Sequence, residues 1–442
     1  ILLDGLDEVP RDKLLSIQTE IRKLENLKNA IVVSSRTVGY PSGFLPSNYK
    51  VFEVVGFNRK QQELFLRKWF STEQEKSQKL LSAIDENRGM QGLSQNPLLL
   101  SLMAIVIEND SSFRLPTQRA ELYARAMDLL LDRWRKSQGL NNPSTPPKVG
   151  RKRLLEHLAF INFIGDKEIF SEDDLISQIQ EWQSTDSGAI LRGYNSETIL
   201  NTLSVDNGLL TRHAQTEFRF LHLTFQEYLT ACAIKTNPLG KDILTAHVTS
   251  PRWEEVIRLL ASIEEDATET INIVWLPDIK DDVFSSRLFL AGRCLGDVKS
   301  VSNDVVMTVS NALINKLFSR NLSIIFRNAT RALGAVCSRF TKVLEIVFKL
   351  VKATKSIPFT VSVLSNIAHP EFISLFESLL RNPDLDINTQ RDLLEALGSI
   401  RDLRSAELLL EYLQDPNPNI STSAAQSLAR IADSRILPTL SN

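Results

Sequence analysis

A four-residue signature, leucine, a small residue, any residue and an aliphatic one, returns five times late in this chain and restricts its fold more than any other feature. The copies are Leu295-Gly296-Asp297-Val298, Leu333-Gly334-Ala335-Val336, Leu364-Ser365-Asn366-Ile367, Leu397-Gly398-Ser399-Ile400 and Leu428-Ala429-Arg430-Ile431, at offsets of 38, 31, 33 and 31 residues. A repeat of that length holds a pair of helices, which must stack on the next pair to bury its apolar face. The small residue lets paired helices approach closely, while the leucine and aliphatic positions face the stacking core. Asp415-Pro416-Asn417-Pro418 has the composition of a turn between helices. Residues 240–442 are therefore expected to form an α-solenoid.

The remainder reads as a mainly α, multidomain chain with a short α/β beginning. Its 442 residues, 43% of them hydrophobic, are enough for several separate cores. Ile1 to Leu3 and Ala30 to Arg36 are aliphatic runs of the kind buried in parallel sheets, and Leu14, Ile17, Ile21 and Leu24 between them recur at helical spacing. Val51 to Val55 is expected to continue that sheet, so that 1–57 forms the second half of a parallel α/β domain. Asn58 with Gln61 three residues on predicts a capped helix carrying Leu64, Phe65 and Trp69. Asn96-Pro97-Leu98-Leu99-Leu100 opens another helix, and Tyr123, Met127, Leu130 and Trp134 mark a third, giving a helical domain over 58–138. The stretch Asn141-Asn142-Pro143-Ser144-Thr145-Pro146-Pro147 cannot hold a helix, which places a linker at 139–150. Over 151–236, three helical stretches (one capped by Ser171) precede two strand-like pieces, Gly208 to Thr211 and Phe218 to Leu221, and a last helix from His222. Three helices and a hairpin predict a winged helix, with Phe225 and Tyr228 in its core and Gln226 and Glu227 on the other side. For the solenoid, a short HEAT-like repeat matches better than a tetratricopeptide repeat, whose Trp and Tyr positions are missing.

Composition narrows the function. The net charge is −2 with both signs interspersed, and beyond Arg151-Lys152-Arg153 no basic run draws the chain to nucleic acid. The three cysteines, Cys232, Cys294 and Cys337, lie far apart in apolar helices, as buried thiols of a reducing compartment do; the cytoplasm is the expected location. The longest apolar run, Leu98 to Ile107, is about half the ~20 residues a membrane span needs.

The chemistry concentrates at the start, in Ile1-Leu2-Leu3-Asp4-Gly5-Leu6-Asp7-Glu8-Val9-Pro10. Asp4 ends a strand at the carboxyl edge of a parallel sheet, where a carboxylate can hold Mg²⁺. Asp7 and Glu8 add two acids able to orient a water opposite a γ-phosphate. Capping of the helix near Pro10 is the other use for these acids. Arg36, ending the second strand, could approach the same phosphates or pair with Asp4 or Glu8. These features read as the C-terminal half of a P-loop NTPase core. The phosphate loop G-x-x-x-x-G-K-S/T occurs nowhere, since Gly240-Lys241 is followed by Asp242. The expectation is an N-terminally truncated fragment, inactive alone. His222, at a helix start, has the position of a cap; His157, His213, His247 and His369 are read as structural.

The opening decapeptide, Val32-Val33-Ser34-Ser35-Arg36, Asn96-Pro97-Leu98-Leu99-Leu100 and Phe220-Leu221-His222-Leu223-Thr224-Phe225-Gln226-Glu227-Tyr228-Leu229 together resemble the NACHT branch of the STAND NTPases, to which NOD-like receptors and many bacterial proteins belong. The resemblance spans about the first half of the chain, and the repeats resemble the HEAT-like sensors of bacterial members. It implies Asp4 as Mg²⁺ ligand, Asp7 and Glu8 in hydrolysis, Arg36 as a phosphate sensor, Pro97 packed on the base and His222 on the β-phosphate of ADP. It implies ATP/ADP as the nucleotide, with GTP possible. It further implies a protein ligand on the repeats, self-association on activation, and a role in antiphage defence or stress signalling.

Two other readings remain. One is a repeat scaffold with a degenerate NTPase remnant. The other is a DNA-binding winged helix, which the candidate recognition segment Ser196 to Leu203 disfavours because it carries no Lys or Arg.

Overall fold

The computed structural model describes residues 1–431 apart from 4–5, 7–12, 27–29, 36–44, 46–48, 51, 53, 55, 87, 110–115, 117, 138–145, 215, 279, 319–322, 355, 368 and 401. The chain divides into two compact units, Ile1–Gly56 with Thr249–Glu254, and Phe57–Val248 with Glu255–Asn442. It is mainly helical, with only small sheets.

In the first unit, strands Leu2–Leu3 and Val32–Val33 pair in parallel, Leu2 opposite Val32 and Leu3 opposite Val33, across the helix Leu14–Asn26. The ladder continues past the strand ends, where Ser34 N donates to Leu3 O at 2.8 Å and Leu6 N to Ser34 O at 2.9 Å. Leu6 and Ile21 form the core, with Leu3, Ile17, Ile31 and Val33 packed on them. This is the β-α-β crossover that aliphatic strand runs predict. The further strand expected over 51–55 is not found at residues 52 and 54. Phe52 and Val54 are 83% and 98% exposed, and β-branched composition favours a strand only where a half-buried pleated surface exists to receive it.

The second unit begins with helices Arg59–Trp69, Gln74–Glu86, Arg88–Ser94, Pro97–Asn109 and Arg119–Ser137. Asn58 caps the first in a reciprocal box, its Oδ1 accepting from Gln61 N and its own N–H donating to Gln61 Oε1, both at 2.9 Å. That helix turns a different face inward from the one its hydrophobic spacing suggests. Leu64 and Trp69 are exposed, while Leu66 is buried beside Gln62, whose amide donates to Ser94 Oγ at 3.2 Å.

The winged helix follows. Helices Lys148–Ile164, Glu172–Ser184 and Ser196–Asn201 precede antiparallel strands Leu210–Ala214 and Glu217–Phe220, with Phe170–Ser171 a third strand on the outer side of Glu217–Phe220. Ser171 Oγ accepts from Asp174 N at 3.1 Å, and Phe170 and Phe220 meet edge to face at 5.8 Å. The closing helix, Leu223–Thr236, lies against Lys148–Ile164 and is buried almost all round. Gln226 and Glu227, expected on its outer side, are each 1% exposed, because neighbours cover both faces of the helix. Gln226 donates to Lys167 O at 3.0 Å. Helix Arg119–Ser137 is tied to this domain through buried polar groups: Arg151 Nη1 donates to Asn207 Oδ1 at 2.7 Å, and Asn207 Nδ2 to Leu130 O at 3.0 Å.

The repeats stack in two layers. Helices Ser286–Asp297, Ser323–Arg339, Ile357–Ile367, Ile387–Ile400 and Pro418–Ile431 each end on one copy of the signature and pack in succession. Asn303–Phe318, Thr341–Ala353, Ile373–Leu380 and Leu403–Glu411 alternate with them in sequence. The small residue marks the point of closest approach. A Cβ on Gly296 would lie 2.9 Å from Ala335 Cβ, one on Gly334 would lie 3.3 Å from Ile367 Cα, and one on Gly398 would lie 2.7 Å from Ser427 Cβ. Leu295, Leu333, Leu364 and Leu397 are fully buried beside them. Gly398→Val is therefore expected to lower the stability of the chain by roughly 1–3 kcal/mol through overpacking. Gly193→Ala, where a Cβ meets nothing within 4 Å, should be close to neutral. Urea unfolding followed by circular dichroism compares them, and equal effects would contradict the close approach.

Candidate functional site

The residues singled out in the sequence fall into two groups. Asp4, Asp7, Glu8 and Arg36 lie outside the described residues, although the parallel strands that lead into them, Leu2–Leu3 and Val32–Val33, are in place. Among the described residues no group of three or more His, Cys, Asp or Glu is placed to hold a metal ion. Pro97 and His222 are described, and each stands at a helix start. Pro97 is the exposed first residue of Pro97–Asn109, whose orphan N–H groups are met by Asn96 Oδ1, accepting from Leu98 N at 2.9 Å and Leu99 N at 3.3 Å.

His222 caps the helix Leu223–Thr236 from extended backbone, φ −152° and ψ 147°. Its Nδ1 accepts from Thr224 N at 3.2 Å and lies 3.0 Å from Thr224 Oγ1. A ring nitrogen that accepts carries no proton, so the neutral imidazole holds its proton on Nε2. The ring is exposed, oriented through one nitrogen, with the other in the donor form an anion requires. The cap expected at this helix start is thus formed through one side of the ring.

Behind His222 runs a polar chain that the sequence does not reveal. Thr224 and the Arg119 guanidinium both lie beside the Tyr123 phenol and lower it against the rise that burial causes. Arg119 pairs with Glu255, which lies 3.6 Å from Arg258. Arg258 places both Nε and Nη2 on Asp297 Oδ2, at 2.9 and 2.7 Å. Asp297 is the variable position of the first repeat signature. The series therefore joins the winged helix to the first stacked helix through alternating charges. Burial pulls the Arg119 guanidinium below its usual value and adjacent Arg258 adds to this, while Asp297, Tyr123 and Glu227 oppose it. Burial likewise raises the Tyr123 phenol. Tyr123 also stacks on Tyr228 at 5.5 Å and meets Phe225 edge to face at 5.7 Å, so the chain is embedded in aromatic packing. The available sequence signal was a set of charges inside apolar helices, but its members span 119 to 297 and no local spacing links them.

Beside this chain lies a cavity of about 470 Å³ lined by Ala120, Glu156, Tyr228, Cys232, Lys235 and Lys299, among others. Burial pushes Glu156 up, and it pushes the Cys232 thiol up to about 12, leaving that sulfur a neutral, unreactive thiol. Cys294 and Cys337 are buried thiols outside any disulfide, as expected of structural cysteines.

Comparison with known proteins agrees with this geometry. A family model described as the winged helix-turn-helix domain C-terminal to NACHT matches residues 119–234, starting at the helix that carries Arg119 and Tyr123. A HEAT-repeat model matches residues 373–442. The chain therefore carries a winged helix of the NACHT-associated type, followed by C-terminal HEAT repeats. A curated relative, NLR family CARD domain-containing protein 4 of Xenopus tropicalis, is 23% identical over 273 residues, which span 62% of this chain and 25% of that protein. Among solved structures, the crystal structure of an engineered protein matches at a TM-score of 0.24 and 17% identity, over 84% of this chain and 99% of that one; agreement so low carries no argument. No helix among the described residues is long and apolar enough to cross a membrane.

Removing one partner from this half-buried pair leaves a poorly compensated charge. Asp297→Ala is therefore expected to cost about 3 kcal/mol, and the double variant Arg258→Met with Asp297→Leu should regain most of it. A urea-denaturation cycle tests this, and a single-variant cost below about 0.5 kcal/mol would class the pair with exposed ones.

Proposed function

We propose that this chain is the switch and sensor portion of a STAND-type signalling protein, in which bound nucleotide bridges the NTPase core and the winged helix. The observation that carries the reading is His222, oriented through Nδ1 at the start of the last winged-helix helix, within the segment that matches the NACHT-associated domain. In this reading Asp4 holds Mg²⁺, Asp7 and Glu8 orient the attacking water, and Arg36 meets the γ-phosphate. Pro97 packs on the base, and His222 donates from Nε2 to the β-phosphate. Adenine nucleotide is the expected ligand, with guanine nucleotide an alternative. Its phosphates and the cation supply the charge that holds the two sides together.

The magnitudes show why His222 cannot act alone. Moving a switch from 1:99 to 99:1 takes about 5.5 kcal/mol of differential binding, whereas one charge-assisted hydrogen bond supplies about 1.5–3 kcal/mol. The polar chain from Thr224 to Asp297 supplies a second source of bias. A ligand that moves the first repeat changes the environment of Asp297, Arg258 and Glu255, and through Arg119 and Tyr123 the support of the His222 ring. Release of the closed form would then permit self-association and signalling, with defence against phage or stress as the setting and the cytoplasm as the place.

A second reading, a repeat scaffold on an inert nucleotide fold, is favoured by one observation: the His222 ring already caps its own helix. Nucleotide retention separates the two. In the protein carrying its complete NTPase core, His222→Leu should release a bound fluorescent adenine nucleotide about tenfold faster or more, the loss of one such bond. Unchanged release would sink the bridge, and no nucleotide retained by the parent protein would favour the scaffold.

A further inference from the structure

Charge along the repeats is segregated in a way that the net value of −2 conceals. Residues 316–355 hold nine lysines and arginines against one acid, Glu345. Residues 264–304 hold nine acids against four bases, and residues 369–415 ten acids against four bases. In the acidic stretches three cations are paired: Lys299 with Glu265 at 2.7 Å, Arg381 with Glu377 at 2.9 Å and Arg404 with Asp402 at 3.1 Å.

The basic stretch behaves differently. Helix Thr341–Ala353 buries Val343, Leu344, Val347 and Val351, and leaves Lys342, Glu345, Lys349 and Lys352 exposed. Those four positions fall within an arc of about 80° and along about 15 Å of the helix, so they form one stripe. Among the described residues none of the three lysines is in an ion pair, and Glu345 is not engaged by Lys349 one turn on. The Lys352 ammonium rests 4.3 Å from the centroid of the Phe348 ring, which is itself stacked on Phe372 at 6.0 Å. That contact holds the cation at the surface without neutralising it.

We propose that this stripe docks a short acidic polypeptide segment of a partner protein. The proposal rests on the reading of the repeats as the partner-binding half and names the chemistry they select. Three unpaired ammonium groups on a rigid helix repel one another, and carboxylates spaced along an extended segment relieve that repulsion while gaining steering from the local field. The flanking acidic stretches limit the length of the ligand. Adjacent helices are about 10 Å apart, whereas duplex DNA carries a charge every ~1.7 Å over its whole length and would extend over acidic repeats on both sides. A flat anionic membrane meets the same repulsion.

Fluorescence anisotropy of a labelled decapeptide of alternating Asp and Glu, with the whole chain and no nucleotide, tests the assignment. Wild type and the distant control Lys60→Glu should bind, more weakly as salt rises. The variant Lys342→Glu with Lys349→Glu and Lys352→Glu should bind at least about tenfold more weakly, the loss of several surface ion pairs. Lys349→Ala with Lys352→Ala should fall between, and it decides the matter should the triple variant fail to fold by circular dichroism. Absence of peptide binding by wild type, equal binding by the variants, or tighter binding of a 20-base-pair duplex or of anionic vesicles would overturn the proposal. Those results leave the nucleotide-release behaviour of His222→Leu untouched, so the docking stripe and the switch fail separately.

Discussion

The alternation of charge from Arg119 through Glu255 and Arg258 to Asp297 is the polar interaction that ties the winged helix to the repeats within the second unit. Each charge there is largely removed from water, so each needs its neighbour of opposite sign. The chain ends, at one side, on Tyr123 and Thr224 under the His222 cap and, at the other, on the first stacked helix of the repeats. The residue that contacts a nucleotide in our reading is thereby linked to the first stacked helix of the repeats. A half-buried ionic series of this kind is a costly way to gain stability, and apolar residues of similar shape serve as well or better. Its presence is better understood as specifying one arrangement of winged helix and repeats.

Within the repeats a different constraint operates. The glycines of the signature set how closely successive helices approach, and the leucines beside them close the core. This packing is apolar and local, so it fixes a scaffold without dictating what covers the outside. The outside is free to vary in charge, and the basic stripe on Thr341–Ala353 between acidic neighbours is such a variation. Scaffold and specificity are carried by opposite faces of the same helices.

Much of this was legible in the sequence, for identifiable reasons. The Asn58–Gln61 box, the Ser171 cap, the helix opening at Pro97 and the repeat period are written in short spacings, and local spacing survives into structure. Faces were harder to read. Leu64 and Trp69 suggested one inward side for their helix, whereas Leu66 and Gln62 occupy it, because Ser94 from a later helix supplies the amide with a partner. Helical spacing from Phe225 and Tyr228 puts Gln226 and Glu227 on the outer side, and their burial depends on neighbours distant in sequence. Of the candidate site, Pro97 and His222 were recognisable as helix starts. The polar chain behind His222 was not, since its members come from separated elements.

The most direct test of the central claim, that the His222 end and the first repeat respond together, is hydrogen exchange read by mass spectrometry on Arg119→Met. The account predicts that amide protection falls in concert at the start of Leu223–Thr236 and along Ser286–Asp297, at a constant global stability reading from the distant helix Pro418–Ile431. Loss of protection confined to Arg119–Ser137, with both other segments unchanged, would contradict it.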